Sequence, residues 1–285
     1  MTLSYPADGV VARPRTRYPG AAEGEPRRVG REIGQRLRLL SYNIQAGIST
    51  AHFHQYLTRS WKHVLPDSER FVNLDSISRL VSTFDIVGLQ EVDPGSLRSG
   101  FVNQTEYLAL KAGFPYWHHQ TNRRIGKFAR QSIGILSRFR PVQLTEHKLP
   151  GRIPGRGALR AEFAGGGARL VLLIIHLALG RRARLQQLKF IGELISGDPN
   201  VIVMGDLNCR SRSPEMDQLL EDTGLCEPVH NLLTFPSWRP SRNIDHILVS
   251  PSLKVERVSV LNYPFSDHLP VAMDVTLPGG LRLGA

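Results

Sequence analysis

The sequence predicts an α/β (α+β) fold, on three observations. Short runs of β-branched and other large apolar residues recur along the chain, as in buried strands. Amphipathic segments with a helical period lie between these runs. With 285 residues, of which 41% are hydrophobic, the chain is long enough to bury one substantial core. No composition break divides the central part of the chain, which favours a single domain.

The first elements are predicted to be a strand, a helix and a second strand. Residues 37–43 form an apolar run that predicts the first strand, and residues 71–84 carry apolar side chains at helical spacing. The second strand is expected at 85–89. The side chains that mark the helix are Ile77, Leu80, Val81 and Phe84.

A hairpin and two helices are expected next. Residues 160–163 and 169–176 are predicted strands on either side of consecutive glycines, which favour a tight turn. Residues 181–195 predict an amphipathic helix, and Ser213 followed by Pro214 is typical of a helix start. The side chains expected to face inward on the first of these helices are Leu185, Leu188, Ile191 and Ile195.

The two ends of the chain are predicted to lie outside the domain. Residues 1–36 form a basic segment rich in proline and glycine, without apolar periodicity, and are predicted to be disordered. They lack the apolar core of a secretory signal, and no stretch approaches the roughly 18 apolar residues of a membrane span. A cytoplasmic protein without a transmembrane segment is therefore expected. Residues 278–285 are expected to be a short tail.

The formal net charge of +11 indicates a polyanionic partner. Counterion release and long-range attraction favour nucleic acid, and the same attraction favours an anionic lipid surface. Charge alone does not decide between nucleic acid and an anionic lipid surface as the partner. The cysteines, Cys209 and Cys226, support neither a disulfide framework nor a cysteine metal site.

Polar clusters stand at the ends of the apolar runs. Each places an Asn, Glu, Asp or His at the end of a predicted strand. The clusters are Leu40–Asn43, Ile86–Glu91, Val201–Asn208, Asn243–Val249 and Phe265–Val271. A single such residue is more often a turn or a helix cap. The whole ordered series predicts the site of a metal-dependent hydrolase.

Hydrolysis of a phosphodiester explains why these residue types occur together. The reaction needs an oxygen-ligated divalent cation, a group that orients or deprotonates water, and donors for the non-bridging oxygens. Glu91 and Asn43 offer oxygen ligands, while Asp206 and Asn208 offer a base and an amide two residues apart.

The last two clusters add an imidazole with its acids. Asp267 is a carboxylate next to His268, and Asp245 can hold the imidazole in one tautomer.

Six short motifs carry a resemblance to a known family. They are Ser41–Ile44, Leu89–Val92, Ile175–Leu177, Gly205–Asn208, Ile244–Ile247 and Ser266–Val271. In this order they resemble the endonuclease/exonuclease/phosphatase superfamily, the metal-dependent phosphodiesterases related to DNase I, over about residues 37–277. The resemblance implies one catalytic domain there, folded as a four-layer α/β sandwich of two facing mixed β-sheets flanked by helices. It places the site in a cleft at one edge.

The family's roles fall on matching positions of this chain. The implied metal ligands are Glu91, Asn43 and Asp267, and the implied cofactor is Mg2+, with Mn2+ as the alternative. The aspartate that activates water falls on Asp206, and the asparagine that contacts phosphate falls on Asn208.

The family's closing Asp-His pair falls on Asp267 and His268. His268 is implied to contact phosphate or to act as the base, and Asp245 is implied to orient it. Asp206 and His268 therefore both remain candidates for the general base.

Two positions differ from the abasic-site branch of the superfamily. His176 stands where that branch has asparagine, and an imidazole there can protonate the leaving alkoxide. The alternative is a histidine satisfied at a strand end. Arg130 lies in the segment where that branch has a phosphate-contacting tyrosine, and its guanidinium can bind the same phosphate bidentately. The alternative is a solvated loop arginine.

Three further segments combine aromatic and basic residues. Residues 48–70 interleave both types, which suits either base stacking and phosphate binding or the anchoring of a helical excursion onto the core. Arg123, Arg124 and Lys127 either follow a phosphate backbone or are solvated. The loop with Trp238 is expected near the site, where the ring either stacks on substrate or packs in the loop, and packing is favoured.

The function expected is divalent-metal-dependent hydrolysis of phosphodiesters, first as a nuclease acting on DNA or RNA. The alternative is a sphingomyelinase-like or phosphoinositide-type lipid or small-molecule phosphoesterase. The third hypothesis is a noncatalytic binding protein. The oligomeric state is left open.

Overall fold

Two β-sheets form the centre of the fold. The protein is represented by a computed structural model that describes residues 11–12, 34–47, 68–126, 128–151 and 155–284. The first sheet has the strand order β1-β11-β12-β2-β3-β5-β4 and the second β10-β9-β8-β7-β6. In the first sheet, the strands are β1 (Val11–Ala12), β2 (Arg36–Asn43), β3 (Ile86–Val92), β4 (Tyr116–Ile125), β5 (Ala129–Ser137), β11 (Lys254–Val260) and β12 (Val271–Thr276). In the second, they are β6 (Gln143–Lys148), β7 (Gly157–Gly165), β8 (Ala168–His176), β9 (Val201–Asp206) and β10 (Asp245–Val249).

The two sheets pack face to face. Leu39 and Ile86 of the first sheet share one buried core with Ile174 and Met204 of the second. The sheets come so close at Gly88 that a Cβ there would lie 2.7 Å from the Cε of Met204. A side chain at this contact would therefore require the end of the Met204 side chain to move.

Helices cover the outer face of each sheet. On the first sheet, α1 (Ser68–Val81) and α2 (Gln104–Ala112) bury apolar side chains against β2 and β3. On the second, α3 (Arg181–Ile195) and α4 (Pro214–Thr223) pack on β8 and β9. The four-layer α/β sandwich expected from the sequence is confirmed.

Most predicted elements are present, with shifted ends. The helix predicted over 71–84 runs over Ser68–Val81, and the next strand extends beyond 89 to Val92, so it includes Glu91. The hairpin predicted at 160–163 and 169–176 is formed by the longer strands β7 and β8.

The helices on the second sheet match their predictions except at one position. The expected helix start at Ser213 is confirmed, because its side chain accepts a hydrogen bond from the Met216 amide at 3.4 Å. The inward position predicted for Leu185 on α3 is wrong, since this side chain is 40% exposed. The buried face instead contains Arg184, one position earlier, whose guanidinium pairs with Glu215 of α4 at 2.7 Å.

Strand pairing brings the predicted site residues to one edge. β2 runs parallel to β3 and β8 runs parallel to β9, so their carboxyl ends coincide. Within the second sheet His176 pairs with Asp206, and Asp206 pairs with Asp245 at the start of β10. Paired residues in a sheet point to the same face.

The chain ends behave differently from each other. Residues 278–284 pack onto the domain, where Leu281 and Leu283 are buried and Gln35 exchanges two hydrogen bonds with the Leu283 backbone. In the N-terminal segment only β1 precedes residue 34 among the described residues. It pairs with β11. The disorder predicted for 1–36 is wrong at Val11–Ala12, which form β1, and at 34–36, where Arg36 begins β2. The rest of that prediction, and the predictions for residues 48–67 and Lys127, fall outside the described residues.

Among the helices that the structure describes, none is long and apolar enough to cross a membrane.

Candidate functional site

Asp206 lies at the centre of the polar cluster. Its Oδ2 accepts a hydrogen bond from Nδ2 of Asn43 at 3.2 Å, across the gap between the two sheets. Its Oδ1 accepts one from the backbone amide of Asn208 at 3.0 Å. Nε2 of His176 lies 3.4 Å from Oδ2 and Nε2 of His268 lies 3.9 Å from it. The carboxylate is thus held from both sheets.

The surroundings of Asp206 bring its pKa into the physiological range. Burial, together with the nearby charge of Asp245, raises the pKa of the Asp206 carboxyl to about 7. A group that takes up a proton near neutral pH suits general base catalysis.

Asp245 and Thr234 hold the ring of His268. Nδ1 of His268 lies 2.8 Å from Oδ2 of Asp245, and Oγ1 of Thr234 donates to the same oxygen at 2.5 Å. Burial alone would lower the pKa of His268, but the Asp245 carboxylate outweighs it and raises that pKa to about 10. The ring is therefore an imidazolium at neutral pH, and its Nε2 presents a proton to the space beside Asp206.

A serine fixes the backbone that carries His268. Oγ of Ser266 donates to the carbonyl of Asn43 at 2.6 Å and accepts from the His268 amide at 3.0 Å. The last cluster of the chain is thereby joined to the end of β2.

The oxygen donors Glu91, Asp267 and Asn43 fit a hard divalent cation. Glu91 sits at a register shift in β3 with a φ of 55°, which directs its partly exposed side chain out of the regular ladder. Burial and, to a lesser extent, the Glu91 charge raise the pKa of Asp267 to about 6. The carboxylates of Glu91 and Asp267 and the amide oxygen of Asn43 are the hard oxygen donors that Mg2+ or Mn2+ prefers, and a bound cation would favour the ionised form of Asp267.

A second group also has metal-binding geometry. Ligand atoms of Asp206, Asp245 and His268 all lie within 4.8 Å of one another. However, Oδ2 of Asp245 already accepts two hydrogen bonds, and His268 is protonated. An imidazolium has no lone pair for a metal. We therefore assign the oxygen set around Glu91 as the better cation site.

Arg156 is a site residue that the sequence analysis missed. Its Nη1 forms a hydrogen bond with Nε2 of His176. A guanidinium only donates, so Nε2 accepts and the imidazole carries its proton on Nδ1. Burial, and then the charge of Arg156, lowers the pKa of His176 well below its ordinary value. While this hydrogen bond persists, Nε2 has no proton for a leaving group.

The only sequence signal for Arg156 is its position between Gly155 and Gly157. Gly157 pairs with His176 across β7 and β8, which brings residue 156 to the site edge. A Cβ on Gly157 would lie 2.1 Å from Oδ1 of Asn122, so a side chain at this position would require the Asn122 side chain to move.

The last two predicted residues lie in different places. Asn208 is at the site edge with a φ of 51°, and its Nδ2 donates to the carbonyl of Leu177 at 3.0 Å. Arg130 is not brought into the cluster by any contact shown for the described residues. Alternation along β5 places its side chain on the outer face, with Ser132 and Leu136. Its phosphate-binding role stays a prediction.

Comparison with known proteins agrees with this fold. The sequence model of the Endonuclease/Exonuclease/phosphatase family matches residues 40–268. No curated protein sequence matches the chain significantly. Among solved structures, an endonuclease/exonuclease/phosphatase from Beutenbergia cavernae has 20% identity and a TM-score of 0.66, covering 86% of this chain and 72% of that one.

Two other solved structures have named activities or ligands. The mannosyl-6-phosphatase Bt3783 of Bacteroides thetaiotaomicron is 20% identical, with a TM-score of 0.61 and coverage of 85% of this chain and all of that one. The human Nocturnin catalytic domain with bound sulfate is 18% identical, with a TM-score of 0.62 and coverage of 85% and 94%. At these identities the likeness shows the fold.

Proposed function

Because the chain belongs to the endonuclease/exonuclease/phosphatase family, whose members are hydrolytic phosphoesterases, we propose that it is a divalent-metal-dependent phosphodiesterase, specifically a nuclease acting on DNA or RNA. One observation carries the proposal. A buried carboxyl with a pKa of about 7, on Asp206, lies next to an imidazolium on His268. This combination supplies a base for water and a proton donor for a phosphate oxygen in the same space.

The attack step is assigned to Asp206. Asn43 and the Asn208 amide fix the two carboxylate oxygens, so the remaining lone pairs point in set directions. A water bound there is oriented towards the phosphorus, and Asp206 accepts its proton. Holding the base rigidly reduces the reorganisation needed to reach the transition state.

Charge on the phosphate is met by cationic groups already in place. Nε2–H of His268 is aimed by Asp245 and donates to a non-bridging oxygen. When bound at Glu91, Asp267 and Asn43, a divalent cation supplies further charge stabilisation. Superfamily members are generally dependent on such a cation.

Arg156 and His176 form the opposite side of the site. A phosphate oxygen competes with Nε2 of His176 for the Arg156 guanidinium, because an anion is a stronger acceptor than a neutral imidazole. Release of that nitrogen lets Nε2 of His176 take the water proton that Asp206, 3.4 Å away, has accepted, and pass it to the leaving oxygen.

A polynucleotide is the preferred substrate on grounds of charge. The net charge of +11 favours a polyanion over a single phosphate group. A cytoplasmic location remains part of the proposal.

The test is product release from a panel of substrates with purified protein in Mg2+. The panel contains single- and double-stranded DNA, RNA, sphingomyelin, phosphoinositides and a sugar phosphomonoester, each with an EDTA control. Asp206→Asn should lose activity, whereas Asp274→Asn is a matched control in an ion pair with Arg36. Cleavage of polynucleotide that EDTA abolishes supports the proposal. Turnover of lipid or monoester alone would replace it with that activity, and silence on every substrate would contradict it.

A further inference from the structure

A groove beside the site lies between β4 and β5 of the first sheet and the start of α3. Its volume is about 690 Å³, which is within the usual range for a ligand pocket. The residues that line it are Arg123, Gln131, Gly151, Gly155, Arg156, Ala178, Leu179, Gly180, Arg182, Ala183, Gln186 and Gln187. This described lining contains three arginines and no carboxylate.

The groove is continuous with the proposed catalytic residues. Arg156 lines the groove and forms its hydrogen bond with His176. Ala178 and Leu179 follow His176 in the sequence and are separated from it only by Leu177. A substrate bound by its phosphate at Arg156 would therefore extend into the groove.

Buried side chains fix the walls of the groove. The amide of Gln187, 1% exposed, donates to the carbonyl of Pro150 and accepts from the backbone of Ala178, both at 2.9 Å. Arg184 donates to the carbonyls of Ala178 and Leu179. Two side chains of α3 thus hold the backbone at 178–179 in place.

The fixed wall presents an apolar side chain to solvent. Leu179 is 76% exposed although its backbone is anchored by buried groups. Arg182 is exposed in the first turn of α3, and Arg123, whose stem lies close to Gly155, lines the same groove. An exposed aliphatic side chain in a lining that carries guanidinium groups matches a nucleobase that is flanked by phosphates.

We propose that this groove is a subsite for the nucleotide next to the scissile phosphate, with its base against Leu179 and its further phosphate bound by Arg123 and Arg182. The subsite rests on the proposed nuclease function and deepens it, because it makes the substrate an oligonucleotide rather than an isolated diester. A lipid chain would leave the guanidinium and carboxamide groups of this lining unpaired against hydrocarbon.

The experiment compares two substrates that differ in the flanking nucleotides. Bis(4-nitrophenyl) phosphate has only the diester, and an oligonucleotide series of increasing length adds neighbouring phosphates. Arg182→Gln and Leu179→Ser alter the groove, while Arg181→Gln is the matched control, since Arg181 pairs with Glu215 outside it.

Arg182→Gln and Leu179→Ser should each lower kcat/KM on oligonucleotides about tenfold, through KM, and leave the small diester unchanged. For Arg182→Gln, the salt dependence of oligonucleotide binding should also fall by about one unit of slope. Arg181→Gln should change neither substrate. Equal losses on both substrates, or no loss on oligonucleotides, would overturn the subsite while nuclease activity stands. A wild-type protein that cleaves the small diester but no polynucleotide would overturn both.

Discussion

The substitution Asp245→Asn tests whether a carboxylate keeps His268 protonated. Both residues and Thr234 are buried, and Oδ2 of Asp245 accepts from the His268 ring at 2.8 Å. A hydrogen bond to a charged group contributes about 1.5–3 kcal/mol. Since about 1.4 kcal/mol corresponds to one pKa unit, losing the charge should lower the pKa of His268 by about one to two units.

The expected consequence is a loss of activity at alkaline pH. With the pKa lowered from about 10, His268 gives up its proton at a lower pH, and the donor to the phosphate is lost there. ¹⁵N NMR titration of the imidazole measures the pKa directly, and kcat/KM between pH 7 and 9.5 measures its effect.

Thr234→Val is the matched control for this prediction. It removes the neutral hydroxyl that donates to the same Asp245 oxygen and keeps the carboxylate charge. The pKa of His268 should then stay near its wild-type value, and activity at alkaline pH should persist. An unchanged His268 pKa in Asp245→Asn would refute the idea that this acid controls the ring.

Three further predictions follow from the site and the core. Because Asp206 must be deprotonated to act as base and burial raises its pKa to about 7, kcat/KM should fall tenfold per pH unit below that value; a flat profile from pH 5 to 8 would exclude this role. Glu91→Gln should raise the Mg2+ concentration for half-maximal activity at least tenfold, measured by metal titration, and an unchanged titration would remove Glu91 from the cation site. Asp93 is fully buried and accepts from Nε of Arg98 at 2.5 Å, so Asp93→Ala should lower the free energy of unfolding by about 3–5 kcal/mol in urea, and a loss below 1 kcal/mol would contradict this.

The predicted strand ends account for most of the cluster. Asn43 and Asp206 each follow an apolar run, and the carboxyl ends of parallel strands meet at one edge, so local pattern predicts their neighbourhood. Their hydrogen bond joins residues 163 positions apart in two sheets. That contact depends on how the two sheets pack against each other. The alternation of side chains along a single strand carries no information about this packing.

The missed and misplaced residues share a physical cause. Arg156 reaches His176 because Gly157 pairs with His176 across β7 and β8, and the local sequence marks that contact only by the flanking glycines. Leu185 fits the helical period, but Arg184 occupies the buried position through its ion pair with Glu215, while the other predicted side chains stay buried. In both cases a long-range charged contact decided the position, and local hydrophobicity could not predict it.

Single-turnover cleavage of an oligonucleotide in saturating Mg2+ tests the central claim most directly, with wild type, Asp206→Asn and the control Asp274→Asn compared at pH 8. The carboxamide keeps the shape of Asp206 but cannot accept the proton of water, so the chemical step should slow by about 10²-fold or more. Thermal melting should show that both variants fold, and Asp274→Asn should cleave at the wild-type rate. Cleavage at the wild-type rate by folded Asp206→Asn would contradict the assignment of this carboxyl as the base.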